Sequence, residues 1–327
     1  MRGGARGGPA RPRVWHPGAA RAGGGPSPGR LRRRLAFRRR SGRAREASRG
    51  RGAALTPREG WLERDGVRLH YLEWPGETGR AIFALHGLSS NARFWSRVAS
   101  HLDGRRLIAL DQRSHGRSDR MRDGDGLAAF VADARHAIAE LGLARPVLAG
   151  HSWGASIALE LAARHPETVS ALGFIDGPAW PLSDSMTWAE FAARSQSTLP
   201  RHSDLAAAID AARAWHGPLW GEDLVEFVNA GHRPEGDAIV LTLTHEARAR
   251  ILRDLFDLRQ DQAWRALAVP AFAAFALRKS DMVLAATKRA AEHIAAVAPK
   301  VLIKWYDSPH DIPLSLPGDI ASDIAAL

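Results

Sequence analysis

The sequence predicts an α/β protein: a mostly parallel, doubly wound sheet whose regular alternation is broken once by a helical insertion. Short apolar runs bounded by Gly, Pro or Asp alternate with stretches of helical period between residues 67 and 176. The alternation stops at about 178, gives way to helical patterning with scattered tryptophans, and resumes near 269. The chain has 327 residues, 45% of them hydrophobic and 25% charged, which suffices to bury a core of that size.

The elements follow in order. VRLHYLEW (67–74) alternates apolar and polar residues, as a half-exposed strand does. AIFAL (81–85), RLIAL (106–110), PVLAG (146–150) and SALGFID (170–176) are short and apolar, the pattern of strands covered on both faces. Helical stretches lie between them at 91–102, 126–142 and 156–165. After the insertion come a strand at 269–277, a helix at 283–297, a strand at 300–306 and a last amphipathic stretch, PGDIASDIAAL. The predicted organisation is an N-terminal arm (1–60), an α/β core (61–177 and 267–327) and a helical cap (178–266) inserted after the strand that ends near Asp176. Within the cap, Ile251, Leu252, Leu255, Phe256 and Leu258 have helical spacing, which suits an apolar pocket lid or simple packing of the cap.

The net charge of +11 looks at first like a nucleic-acid signal. Residues 1–60, however, hold 17 arginines, no lysine and two acids, leaving 29 basic and 33 acidic residues beyond them, so the arm carries +15 and the rest −4. The arm is rich in Arg, Gly and Pro and too poor in apolar residues to fold alone, so disorder is expected. No nucleic-acid module lies beside it, and a nucleic-acid partner is not the expectation. The better reading is a dispensable arm, such as a start codon placed too far upstream would add. It lacks the apolar run of a secretory signal, and no stretch has the apolar length of a membrane span, so a cytoplasmic location without membrane contact is expected. Cysteine is absent, which excludes disulfides, thiolate nucleophiles and Cys-ligated metal.

Chemistry points to VLAGHSWGAS, where a predicted strand hands over to a predicted helix. Ser152 sits in G-x-S-x-G, the nucleophile elbow: a strained turn projects the hydroxyl, and Gly150 and Gly154 let backbone and helix approach closely. The helix N-terminus behind the serine offers N–H groups to a developing oxyanion. A serine needs a base, and the base an orienting carboxylate, in the chain order Ser, acid, His. His310, in WYDSPHDIPL directly after the last predicted strand, is the candidate base. Asp281, after the penultimate strand, is the first candidate acid, and Asp176, in GFIDGP, is the alternative. The oxyanion donors are expected to be the backbone N–H groups of Trp153 and Leu88. His86 reads as a brace for the HGLSS loop, His151 as packing, and Asp111, His115 and Ser118 as supports of their own loop. His245 and Arg248 are noted as groups able to meet a substrate carboxylate.

These residues resemble the α/β-hydrolase superfamily over about 61–327: LHGLSSNARFW, ALDQRSHGRSD, GHSWGASIALELAARHPETV, FIDG and SPHDIPL each fall at one of its landmarks. Two departures are Ser114, where glycine is usual, and Ala155, often glycine. DQR…GRSD with GxSWG is also similar to prolyl aminopeptidases, but HGLSS replaces their HGGPG. A serine nucleophile disfavours epoxide hydrolases and haloalkane dehalogenases of the same fold. The resemblance implies an esterase-like serine hydrolase of a small organic substrate, needing no cofactor or metal. C–C bond hydrolysis, cofactor-free perhydrolysis and ligand sensing are the alternatives.

Overall fold

The computed structural model describes residues 56–177, 182–184, 186–195 and 199–327; most of the predicted arm therefore lies outside the described residues. The sheet begins with β1 (Arg58–Arg64) and β2 (Val67–Trp74), an antiparallel hairpin turned at Asp65 and Gly66, both with positive φ. It continues through β3 (Ile82–Leu85), β4 (Leu107–Leu110), β5 (Val147–His151) and β6 (Ala171–Ile175). β7 (Arg201–His202), β8 (His232–Glu235) and β9 (Ala238–Leu241) lie in the insertion, and β10 (Ala271–Ala276) and β11 (Leu302–Tyr306) complete the main sheet. Its order is β1-β2-β4-β3-β5-β6-β10-β11, parallel from β4 onward.

Every residue of β3, β4, β5, β6 and β10 is buried, because helices cover both faces. The pleat sorts the side chains. Phe83 and Leu85 join a core with α2 (Leu127–Glu140) and α3 (Trp153–Arg164), whereas Ile82 and Ala84 join one with α1 (Ser96–Ala99) and the C-terminal helices. Burying each large side chain is worth roughly 1.5–3 kcal/mol relative to exposure.

Three predictions need correction here. β1 starts three residues before the expected core boundary. It is half-exposed and carries four charges in REGWLER, so its apolar alternation is weak; the Asp-Gly turn after it was the available hairpin signal. The cap is not purely helical. It holds α4 (Trp188–Ser195), α5 (Leu205–His216), α6 (Leu224–Gly231), α7 (His245–Asp257) and α8 (Asp261–Ala266), but also an antiparallel sheet ordered β7-β9-β8. Pro234 on its edge strand β8 and the two-residue β7 hid that sheet from a reading of periodicity. The helix expected at 91–102 is a 3-10 turn (Ala92–Trp95) followed by the short α1. α9 (Asp281–Val297), α10 (Ile312–Ser315) and α11 (Pro317–Ala325) complete the helices described.

The insertion is fastened to the core by named bonds. Arg97 grips Asp223 through two hydrogen bonds of 2.6 and 2.8 Å, Asn91 Nδ2 donates to Phe227 O at 2.9 Å, and Gln260 Nε2 donates to Ser156 O at 2.9 Å. The parallel register pairs Leu85 with Gly150, His151 with Ile175, and Ile175 with Ala274. The carboxyl ends of β3, β5, β6 and β10 therefore open on one edge, where ligand sites form in such sheets.

Candidate active site

At that edge Ser152 takes φ 52 and ψ −117, a conformation costly for a residue with a Cβ. The neighbours hold it there. Ser152 N donates to Ile175 O at 2.9 Å and Ala155 N donates to Ser152 O at 3.0 Å. A Cβ on Gly150 would lie 2.5 Å from Gly154 O, and one on Gly154 would lie 2.5 Å from Leu85 O, so both elbow glycines are sterically required. A third glycine, Gly177, is needed too, since its Cβ would lie 2.4 Å from Ser152 O.

His310 stands in the loop after β11, its side chain about half exposed, and its Nδ1 meets Asp176 Oδ2 at 2.5 Å. Here the first-choice acid fails. The carboxylate on His310 is that of the alternative, Asp176, at the end of β6, while Asp281 is the exposed first residue of α9. An acid in a helix's first turn complements the helix dipole, which accounts for Asp281 without chemistry. Asp176 is completely enclosed, and its Oδ1 accepts Ala276 N–H at 3.0 Å and the Lys279 ammonium at 2.7 Å. Burial alone would raise the Asp176 pKa; the His310 and Lys279 bonds outweigh it and hold the carboxyl below its ordinary value. Desolvation opposes a charged His310, but the Asp176 hydrogen bond and charge prevail and raise its pKa above the usual imidazole value. Lys279 was not singled out in the sequence, because nothing in FALRKSD says that its side chain reaches across to β6.

The loop that carries Leu88 passes against the serine: a Cβ on Gly87 would sit 3.1 Å from Ser152 Cβ. Trp153 buries its indole against Phe130 and His115, while its backbone N–H lies at the start of α3. Leu88 and Trp153 thus belong to the two backbone segments that flank Ser152. His86 braces this loop, with Nδ1 donating to Gly87 O at 2.8 Å and Nε2 accepting Gln112 N–H at 3.1 Å. His115 does the same for the next residues, accepting Ser89 N–H at 3.2 Å and donating to Arg113 O at 3.1 Å. Both roles need a neutral ring. Desolvation lowers the His86 pKa and takes His115 to about 3. Asp111 collects His70 Nδ1 at 2.7 Å, Ala92 N–H at 2.6 Å and Arg117 N–H at 2.9 Å, tying three segments together. Ser114 keeps φ 66, the left-handed geometry its glycine counterpart would favour.

His151 packs on Phe94 with centroids 4.5 Å apart and lies 4.8 Å from the His310 ring, its pKa depressed by burial to about 4. His151, His310 and Asp311 offer ligand atoms within 4.8 Å of one another, the one such grouping among the described residues. A cation there would occupy the imidazole that Asp176 holds. His245 and Arg248 are engaged inside the insertion: His245 Nε2 accepts Leu199 N–H at 3.0 Å, and Arg248 donates to Ser195 O. No helix among the described residues is long and apolar enough to cross a membrane.

Residues 80–292 match the family described as alpha/beta hydrolase fold. The chain is 34% identical over 120 residues to a non-heme haloperoxidase of Rhodococcus erythropolis, covering 36% of this chain and 43% of that protein. It is 36% identical over 125 residues to lipase LipV of Mycobacterium tuberculosis, covering 36% and 45%. The matches thus span less than half the length of these relatives. Among solved structures, a thioesterase domain from the curacin biosynthetic pathway superposes with a TM-score of 0.67 at 19% identity, over 82% of this chain and 99% of that one.

Proposed function

Because the chain belongs to the α/β-hydrolase fold family, we propose that it is a serine hydrolase that cleaves an ester-like bond of a small organic substrate through an acyl-enzyme. The observation that carries this reading is the 2.5 Å hydrogen bond from His310 to the enclosed Asp176, made at the same sheet edge as the strained Ser152. With Nδ1–H given to Asp176, the His310 tautomer leaves Nε2 unprotonated and able to accept a proton. Ser152 Oγ attacks the substrate carbonyl and His310 takes its proton. The backbone N–H groups of Leu88 and Trp153 then hold the oxyanion of the tetrahedral intermediate. His310 passes the proton to the departing alcohol, and the acyl group stays on Ser152. Water, deprotonated by His310, releases the acid and restores the serine. Asp176 stays ionised throughout, held by Lys279 and the Ala276 N–H.

A fluorophosphonate tests the reading without knowledge of the substrate. It should label the wild-type chain on Ser152 and leave Ser152→Ala unlabelled, and a panel of small esters should be hydrolysed about 10³-fold or more faster by the wild type. Labelling that survives Ser152→Ala would end the proposal. The likeness to a non-heme haloperoxidase supports a second use of the same acyl-enzyme. Hydrogen peroxide in place of water would release a peracid and regenerate the serine, and peracid formation from a simple acyl donor distinguishes the two.

A further inference from the structure

We infer that Lys279 is a positioning residue for this site: an ammonium in the loop after β10 that locks the outer oxygen of Asp176 and thereby trims the basicity of His310. The inference rests on reading Ser152, His310 and Asp176 as a triad. Asp176 divides its two oxygens. Among the described residues Oδ2 serves His310 alone, while Oδ1 is fixed by Lys279 at 2.7 Å and Ala276 N–H at 3.0 Å, so the carboxylate cannot turn its Oδ2 away from the ring. The lysine is itself placed. Its Nζ also donates to Thr287 Oγ1 on α9 at 3.1 Å, and that hydroxyl donates to Val283 O at 2.8 Å. Its side chain is only 12% exposed, so water screens the Lys279–Asp176 pair little.

The charge matters because a buried carboxylate facing one imidazole would make that imidazole strongly basic. An imidazole protonated at neutral pH cannot accept the serine proton. A cation on the far oxygen works against this, since protonating His310 then places a second positive charge beside Asp176. The other groups facing His310 are Asp311 on its own loop and the ring of His151 at the end of β5. Burial keeps His151 neutral near neutral pH, and it contributes a hydrogen bond from Nε2 to His310 O at 3.2 Å rather than a charge. Arg278, beside the lysine, is committed to Asp307 at 2.8 Å. Among the described residues, Lys279 is therefore the cation that contacts Asp176.

The test is the pH dependence of inactivation by a fluorophosphonate, with the His310 pKa read in parallel by histidine nitrogen NMR. Two neutral variants are used, Lys279→Gln, which keeps a donor, and Lys279→Met, which does not; Lys279→Arg restores the charge. The acid-side midpoint should move up by about half a pH unit in both neutral variants and return to the wild-type value in Lys279→Arg. A role in packing alone would lower stability in every variant without moving the midpoint. An unchanged or lowered midpoint in a folded neutral variant overturns the inference. Absence of wild-type labelling would instead overturn the triad reading, and the NMR titration would still decide the coupling of Lys279 to His310.

Discussion

At the scale of single residues, the site turns on which of two aspartates meets His310. Both follow a strand that ends at the same sheet edge, so spacing along the chain treats them alike. Geometry separates them: Asp176 is enclosed and bonded to His310 Nδ1, whereas Asp281 is exposed in the first turn of α9. Asp176→Asn leaves an amide that holds the wrong tautomer of His310, and it should lower the inactivation rate by about 10³- to 10⁴-fold. Asp281→Asn removes only a favourable charge at a helix N-terminus and should leave the rate within about twofold. Equal losses in the two variants would refute the Asp176 assignment. Ser152 and His310 were legible as candidates because each stands in a local motif: glycines on both sides of Ser152, and the loop directly after the last strand for His310. The carboxylate that bonds His310 was not, because its identity is decided across three strands rather than within a motif. Lys279 was hidden for the same reason.

At the scale of elements, the buried strands were read almost to the residue, since a strand covered on both faces must be apolar throughout. Some of the exposed ones were not, although the part-exposed β11 was. β1 and the small β7-β9-β8 sheet bury little, so burial leaves a weak imprint on their sequences. The joint between β5 and α3 shows the opposite case, in which packing forbids almost every alternative. A methyl group on Gly154 would meet the carbonyl oxygens of both Leu85 and His86, at 2.5 and 2.6 Å. Those atoms are backbone of β3 and its following loop and cannot swing aside. Gly154→Ala should therefore cost about 3 kcal/mol or more in urea unfolding, at the upper end for an overpacked core. It should also reduce labelling, because relief of the clash displaces α3 or the loop that carries Leu88. A loss below about 1 kcal/mol would mean that the joint is looser than these distances.

At the scale of the whole molecule, three of the buried imidazoles among the described residues shape the response to acid. His86, His115 and His151 are each held neutral by desolvation, with His115 at about 3 and His151 at about 4. In the unfolded chain each titrates near 6.5. As pH falls below that value, the unfolded chain takes up protons that the folded one refuses, so unfolding is favoured. Each such group contributes a slope of about 1.4 kcal/mol per pH unit, beginning near pH 6.5 and ending at its own folded pKa. For His151 that window closes at about 4, and for His115 at about 3. His310 works in the other direction. Its raised pKa supplies stability that is present below 6.5 and lost as pH rises through the folded value, but its half-exposed ring is screened. The depressed Asp111 and Asp176 add further losses only at lower pH, where the unfolded carboxylates begin to protonate. Stability from urea unfolding should hence fall steadily from pH 7 to pH 4.5, by a few kcal/mol in total. His115→Gln should be less stable at pH 7, having lost its bond to Ser89 N, yet should show a shallower decline with acid. A wild-type stability that stays flat from pH 6.5 to pH 5 would mean that these rings accept protons in the folded state, and with them the brace of the Leu88 loop would have to be redrawn.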